Sequence, residues 1–423
     1  MRMKVAVVGG GWAGLAAAVR ATQAGHQVTL FELAAQIGGR ARGVNVDGLA
    51  LDNGQHILIG AYVRTLALMK TVGADTDAGL WRQPLQLRYP DGRGLRVPPG
   101  PSVLGFGRAV LACQGFGWRD RTALLLAAAG WAAKGFRCDP ALTVSALCKQ
   151  LPAPVRQLLI DPLCVAALNT PATDASATVF LRVLRDALFG GAGRADLLLP
   201  RQSLSALLPE PAAVWLQAAG TTLHNGQRVM TLDRRRGAWA INGQDFDRVV
   251  LACSAAEAAR LAAAWAPAWA ACAQALRYEP IVTVYLLCPG ARLPSPMTAL
   301  FEGPDAPAQF AFDHGALGAT PGLFAFVISG ARRWVDAGLP ATAQAVLHQA
   351  QQAFQPGTWP TPPTLLRCLA EKRATFRCTP GLDRPPTQIA PGLVAAGDYV
   401  DGPYPATLEG AVRSGEAAAA LLS

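Results

Sequence analysis

Lysine is scarce: Lys4, Lys70, Lys134, Lys149 and Lys372 are the only five among the 38 basic residues of this 423-residue chain. Clustered lysines, zinc-finger spacing and aromatic RNA-binding signatures are all missing, which argues against a nucleic-acid partner. The nine cysteines include no C-x-x-C pair. An odd number without framework spacing points to reduced, buried thiols and a cytoplasmic setting rather than a disulfide scaffold. No 18-residue apolar stretch is free of charge, so no transmembrane helix is expected. The first residues run straight into a strand pattern, which leaves no room for a signal peptide. Internal repeats and low-complexity tracts are also lacking. Any membrane contact is therefore expected to be peripheral, on the inner face of the cell membrane.

Hydrophobic residues, by contrast, make up 51% of the chain and charged ones only 16%, enough for a large core and for a greasy cavity. The net charge of +10 is carried mostly by arginine. Arginine suits phosphate groups and anionic membrane surfaces, although an Ala-, Gly- and Pro-rich composition accounts for it equally well. The run Arg234-Arg235-Arg236 lies between two strand-like stretches and reads as a solvated turn.

Residues 4–8 read as a fully buried strand, 12–24 as an Ala-rich helix and 28–32 as a second strand, a βαβ unit in about 30 residues. Between the first strand and the helix stand Gly9, Gly11 and Gly14 in G-x-G-x-x-G spacing. Such a turn needs its first glycine for the tight bend. The second admits a pyrophosphate, and the third lets helix and strand pack closely. The helix N-terminus then faces the anion. Glu32 closes the second strand, where a carboxylate accepts the ribose hydroxyls of an adenosine. Gly38-Gly39-Arg40 follows, with glycines that let a loop pass the pyrophosphate and an arginine to neutralise it.

Further along, 85–97 has a hairpin pattern around Pro90-Asp91-Gly92, and 101–209 is mostly helical. A strand meander is expected at 228–233, 238–242 and 247–252, with Val229 a candidate cofactor contact. A helix is expected over 255–275, strands at 281–287, 309–313 and 323–329, and a helix at 341–354. Near the end, a short strand at 393–396 leads into Gly397-Asp398 and a final helix over 407–421. The fold class is α/β, a Rossmann-type domain interleaved with an α+β substrate domain. The nucleotide domain takes residues 1–84, 215–255 and 385–423; the substrate domain takes 85–214 and 256–384. Gly397 and Asp398 fit beside the ribityl or phosphate region, and Thr407 and Leu408 start a helix whose dipole favours the anionic edge of a reduced flavin.

Together with Asp52-Asn53-Gly54-Gln55-His56 and Leu408-Glu409-Gly410-Ala411, these motifs resemble the superfamily of flavin amine oxidases and carotenoid desaturases. More narrowly, Asn53–His56, Glu371–Phe376 and residues 405–415 are similar to the hydroxysqualene dehydroxylases, also called squalene-associated FAD-dependent desaturases. The resemblance implies noncovalently held FAD, an isoprenoid substrate and an electron donor that the sequence does not identify. The implied reaction replaces the allylic hydroxyl of hydroxysqualene by hydride, giving squalene for hopanoid synthesis. Carotenoid-type desaturation, amine oxidation and lipid binding without catalysis remain the competing expectations. An acid must assist the departing hydroxyl; His56, Asp401, Tyr404 and Glu409 are the candidates. Cys378 stands where some amine oxidases link flavin covalently, a role not expected here. The stretch 103–118, with Leu104, Phe106, Val110, Leu111, Phe116 and Trp118 beside Arg108, could dip into a membrane surface.

Overall fold

A computed structural model describes residues 2–46, 48–98, 100, 102–235 and 237–422. Lys4–Val8 exposes Lys4 and buries the four residues after it, as a strand covered on both faces must. It is central in a six-stranded sheet ordered Thr222–His224, Gln27–Phe31, Lys4–Val8, Arg248–Leu251, Leu393–Ala395 and Gln388–Ala390. The first five run parallel, and only the last pairs antiparallel. Val5 to Val8 sit opposite Arg248 to Leu251, so residues some 240 positions apart are direct neighbours. The sheet thus takes its strands from three separate parts of the chain.

Helix Trp12–Gln23 covers one face of the sheet, with Leu15, Ala16, Ala17 and Ala18 fully buried. The final helix, Leu408–Ala420, lies against it. Gly415 makes this approach possible: a Cβ there would stand 2.1 Å from the Ala13 carbonyl oxygen. The opposite face is covered by Ala255–Ala262 and Pro267–Gln274. One helix was expected here; Pro267 has no N–H to continue the first and starts the second instead.

The second layer is a five-stranded antiparallel sheet ordered Met297–Ala299, Phe310–Asp313, Leu323–Ile328, Tyr278–Leu287 and Thr364–Phe376. Period-two alternation gives it two faces. Val282, Val284, Leu286, Phe324 and Phe326 pack against Ala343, Val346 and Ala350 of helix Leu339–Ala353. Tyr285, Phe310, Phe312 and Val327 face the other way, into a core shared with the helices between 102 and 188. The 13-residue strand Thr364–Phe376 has no counterpart in the sequence pattern, because Arg367, Glu371, Lys372 and Arg373 interrupt its apolar alternation. An edge strand tolerates this, since charge there blocks pairing with another chain.

Three other expectations shift. The antiparallel meander is Leu232–Arg235, Ala238–Ile241 and Gln244–Phe246, while Arg248–Leu251 joins the parallel sheet. Arg234 and Arg235 belong to the first of these strands and are exposed; Arg236 lies outside the described residues. Leu197–Pro200 pairs with both Leu58–Ile59 and Leu80–Gln83, so a small sheet spans the boundary expected at 84/85. The hairpin at 85–97 forms as read, with strands Gln86–Arg88 and Gly94–Arg96. Of the nine thiols, Cys113, Cys148, Cys164, Cys288 and Cys378 are buried; the other four are partly exposed. No described helix is long and apolar enough to cross a membrane.

Candidate functional site: a cavity joining the glycine turn to the second sheet

At the C-terminal ends of the parallel strands, the Gly9–Gly14 turn opens on a cavity of about 530 Å³ that continues to the apolar face of the second sheet. Gly9 has φ +112°, a left-handed backbone that disfavours side chains, and a Cβ would stand 2.6 Å from the Ala252 carbonyl oxygen. At Gly14 a Cβ would fall 1.8 Å from the Gly9 oxygen. Gly11 differs: its nearest neighbour would be the Gly39 Cα at 3.8 Å. The first and third glycines are thus spaces the protein fills, and the second is a space it leaves open. This is the cradle a pyrophosphate requires.

Glu32 reaches back into the turn. Gly10 N–H donates to its Oε2 at 2.7 Å and Ala34 N–H to its Oε1 at 2.8 Å. The Gly38–Arg40 loop docks on the same turn, with Gly38 N–H donating to the Gly10 oxygen at 2.9 Å. Trp12 Nε1–H donates to the Ala41 oxygen at 2.9 Å and pins the loop to the first helix. Arg40 is the central tie. Its guanidinium pairs with Asp398 and donates to the Ala374 oxygen at 2.7 Å, joining the loop to Gly397-Asp398 and to strand Thr364–Phe376. Val229, Gly39, Gly397, Thr407 and Leu408 line the same cavity. Thr407 caps the last helix by accepting from Gly410 N–H at 2.9 Å.

The catalytic candidates separate. His56 lines the cavity, and its Nδ1 meets the Gly54 carbonyl at 2.7 Å. A carbonyl accepts, so Nδ1 carries the proton. Burial pushes the imidazole pKa down, opposed by the Gly54 bond and reinforced by Arg40. The neutral ring therefore presents Nε2 as an acceptor rather than as the donor expected. Asp401 and Tyr404 are not in the cavity wall. Asp401 is 71% exposed and ion-paired with Arg384 at 2.9 Å. Tyr404 donates to Asp186 at 2.8 Å. Glu409, fully buried, accepts from Arg64 N–H, Thr65 N–H, the Thr65 hydroxyl and Arg413, and so caps helix Val63–Thr71 from a distance. Cys378 is buried away from the cavity wall.

Other wall residues went unread in the sequence. The Gln55 side-chain oxygen and the Tyr399 hydroxyl are buried and have no hydrogen-bond partner among the described residues. Gln55 stands within a quoted motif and Tyr399 directly follows one, which was the available signal. Tyr62, Asn169, Ser329, Glu371 and Thr375 also belong to the polar part of the wall. Asn169 holds a left-handed backbone (φ +46°) at a helix end and donates to Thr375 Oγ1 at 3.0 Å, contacts that no local pattern announces. Orphaned polar atoms beside an open glycine turn fit a polar cofactor lying along the cavity.

Asp52 sits just behind this wall, 6% exposed, accepting from Leu204 N–H at 2.9 Å. Burial pushes its pKa up to about 7, only partly opposed by that bond. A carboxyl raised on folding contributes stability that is complete below its unfolded pKa and lost as pH rises through the folded one. Asp52→Asn keeps an acceptor oxygen for Leu204 and carries no charge. Its stability relative to wild type is therefore expected to rise between pH 4 and pH 8, by up to about 4 kcal/mol. Urea denaturation at the two pH values checks this; a difference that stays flat or reverses refutes it.

Together, the parallel sheet, the glycine turn held by Glu32 and the closing Gly-Asp loop define the architecture of a nucleotide-type redox protein. Residues 12–423 match the family model described as "Flavin containing amine oxidoreductase", and the chain belongs to that family of flavoproteins. It is similar to two proteins named hydroxysqualene dehydroxylase. The one from Rhodopseudomonas palustris is 29% identical over 456 residues, covering 100% of this chain and 99% of the relative. The one from Sinorhizobium fredii is 30% identical over 450 residues, covering 100% and 98%. Among solved structures, an oxidoreductase from Methanosarcina mazei shares the fold, with TM-score 0.75 and 18% identity over 98% of this chain and 99% of that one.

Proposed function

We propose that the protein holds FAD noncovalently and removes the hydroxyl of hydroxysqualene reductively, yielding squalene, water and oxidised flavin. The observation that carries this reading is the similarity, end to end, to hydroxysqualene dehydroxylases. The continuous cavity, polar at the glycine turn and apolar along Ile281, Phe310, Phe312 and Val327, supports it. Gly9, Gly11, Gly14, Gly39 and Arg40 would hold the pyrophosphate, Glu32 the ribose and Val229 the adenosine end. Gly397, Asp398, Thr407 and Leu408 would hold the ribityl chain and ring. Cys378 lies outside the cavity wall, in keeping with noncovalent binding. Bound in its reduced form, FAD supplies the hydride. The chain's own part is to lay the polyene along the apolar sheet face, keep water from an allylic cation and deliver a proton to the hydroxyl as it leaves. The electron donor lies outside this chain.

Anaerobically, the chemically reduced protein is expected to convert one hydroxysqualene per flavin, with the absorbance of oxidised flavin returning. Squalene formed in heavy water should carry one deuterium, because the hydrogen on the reduced flavin nitrogen exchanges with solvent. A desaturase would instead bleach its oxidised flavin on a polyene hydrocarbon, and an amine oxidase on an amine. Either outcome overturns this assignment.

Substrate of this kind resides in membranes, and one face suits a membrane surface. Helices Ser102–Ala112 and Trp118–Ala133 expose Leu104 (64%), Trp118 (69%) and Leu126 (73%), with the exposed Arg108 and Arg119 near in sequence. The expected stretch contributes only in part: Val110 and Phe116 belong to the core, and Phe106 is half-buried. Exposed apolar side chains with arginines near them in sequence match an anionic bilayer interface. The protein is expected to float with anionic liposomes at low salt and to be released by Leu104→Ser with Trp118→Ser. Wild-type protein remaining in the soluble fraction rules the contact out.

A further inference from the structure

The cavity wall carries four carboxyl groups: Glu32, Glu257, Glu371 and Asp398. Three are engaged. Glu32 is held by the amides of Gly10 and Ala34, Glu257 by Arg228 and Arg260, and Asp398 by Arg40. Glu371 is different. Its Oε1 accepts one backbone N–H, that of Arg373 at 3.0 Å; the Arg40 guanidinium acts on it electrostatically, but none of the ion pairs among the described residues includes it. It is half-buried and belongs to strand Thr364–Phe376, directly opposite Ile281 of the neighbouring strand. Ile281 lines the same cavity beside Phe310, Phe312 and Val327. Glu371 thus puts a carboxyl on the sheet that forms the apolar end of the cavity, whereas Glu32 and Glu257 belong with Val229 at the far, adenosine end.

The other proton-bearing groups of the wall are poorly suited to give a proton. His56 spends its N–H on Gly54 and presents an acceptor. Tyr62 is bonded with Thr407 at the start of the last helix, and burial pushes its phenol pKa up, as it does for Tyr399. Glu371, in contrast, stands opposite Ile281 at the apolar end of the cavity, where a carboxyl can assist a leaving hydroxyl as a general acid.

We propose that Glu371 is the catalytic acid of the reductive dehydroxylation, giving its proton to the allylic hydroxyl as the carbon–oxygen bond breaks. The step balances as follows. The carboxyl O–H bond breaks, the hydroxyl departs as water with the C–O electron pair, and the allylic cation left behind takes the hydride that the reduced cofactor supplies. The carboxylate regains its proton from solvent before the next turnover. Thr375, four residues along the same strand, lines the cavity too. Its Oγ1 accepts from Asn169, which leaves its own hydroxyl hydrogen to donate toward the substrate oxygen.

This assignment rests on the dehydroxylase reading, and the wild-type protein separates the two. If reduced wild type does not convert hydroxysqualene, the reading itself fails. If it does, Glu371→Gln and Glu371→Asp are compared in anaerobic single turnover of the flavin-loaded enzyme. Glu371→Gln is expected to retain flavin and to form squalene at least about 100-fold more slowly. Glu371→Asp should recover to within about tenfold of wild type, as it restores a proton on a shorter arm. Wild-type turnover in Glu371→Gln overturns the assignment. Equal slowing in both variants also overturns it, because shape and not the proton would then matter. Purification of Glu371→Gln without flavin overturns it as well, since the residue would then serve the cofactor site.

Discussion

Gly14→Val is expected to yield protein without flavin and with little folded material, because its Cβ would stand 1.8 Å from the Gly9 oxygen and 3.2 Å from the Ala252 side chain. Neither the turn nor the strand end can withdraw without opening the central sheet. Gly11→Ala should behave differently. Gly11 has an extended backbone (φ −74°, ψ 178°) that alanine adopts freely, and its methyl would enter open space. The apoprotein should stay within about 1 kcal/mol of wild type in urea denaturation, while flavin retained through purification drops at least about tenfold. Two neighbouring glycines would thus separate folding from cofactor binding. Full flavin in Gly11→Ala would show that the open space is not where the pyrophosphate lies.

Glu409→Ala should be the most destabilising change away from the cavity. Helix Val63–Thr71 begins at Tyr62 with no side-chain cap of its own, and the Glu409 carboxylate serves instead, receiving Arg64 N–H at 3.1 Å, Thr65 N–H at 2.9 Å and the Thr65 hydroxyl at 2.8 Å. Arg413 supplies a fourth bond at 2.7 Å. Removing the carboxylate leaves buried donors and a guanidinium without their acceptor, a loss of about 3–5 kcal/mol. Glu409→Gln retains one oxygen and should lose less. Urea midpoints measure both, and a Glu409→Ala protein as stable as wild type would show that solvent satisfies these groups.

These two expectations differ in how far the sequence announced them. Glycine spacing, the apolar strand before it and the carboxylate 18 residues after Gly14 state one physical requirement three times over, so this end of the molecule could be read directly. The C-terminal loop could not. Asp401 and Tyr404 adjoin Asp398 in sequence, which suggested a shared wall, but Arg384 draws the first outward and Asp186 the second. Tyr404 lies 218 positions from its partner, beyond any local pattern. Glu409 was misjudged for the same reason: a carboxylate near a presumed flavin looks like an acid until Thr65 is found beside it. Strand Thr364–Phe376 was missed because alternation assumes a clean apolar face, and this edge mixes charged residues into it. Glu371, within that strand, was quoted as part of a motif and given no task.

The way the parallel sheet gathers its strands has a consequence for biosynthesis. Lys4–Val8 can pair early with Gln27–Phe31 but lacks its second neighbour until Arg248–Leu251 has been made, and that strand lacks its own second neighbour until Leu393–Ala395 follows. Arg40 waits equally long for Asp398. Through most of its synthesis the nascent chain therefore carries a glycine turn with no wall opposite and a hydrophobic strand with an open edge, the state in which chains aggregate and chaperones engage. The cavity wall is complete only once Gly397, Asp398, Thr407 and Leu408 have been made. A ligand of the whole cavity then acts on a chain translated at least that far, stabilising it rather than guiding the emergence of its first strands.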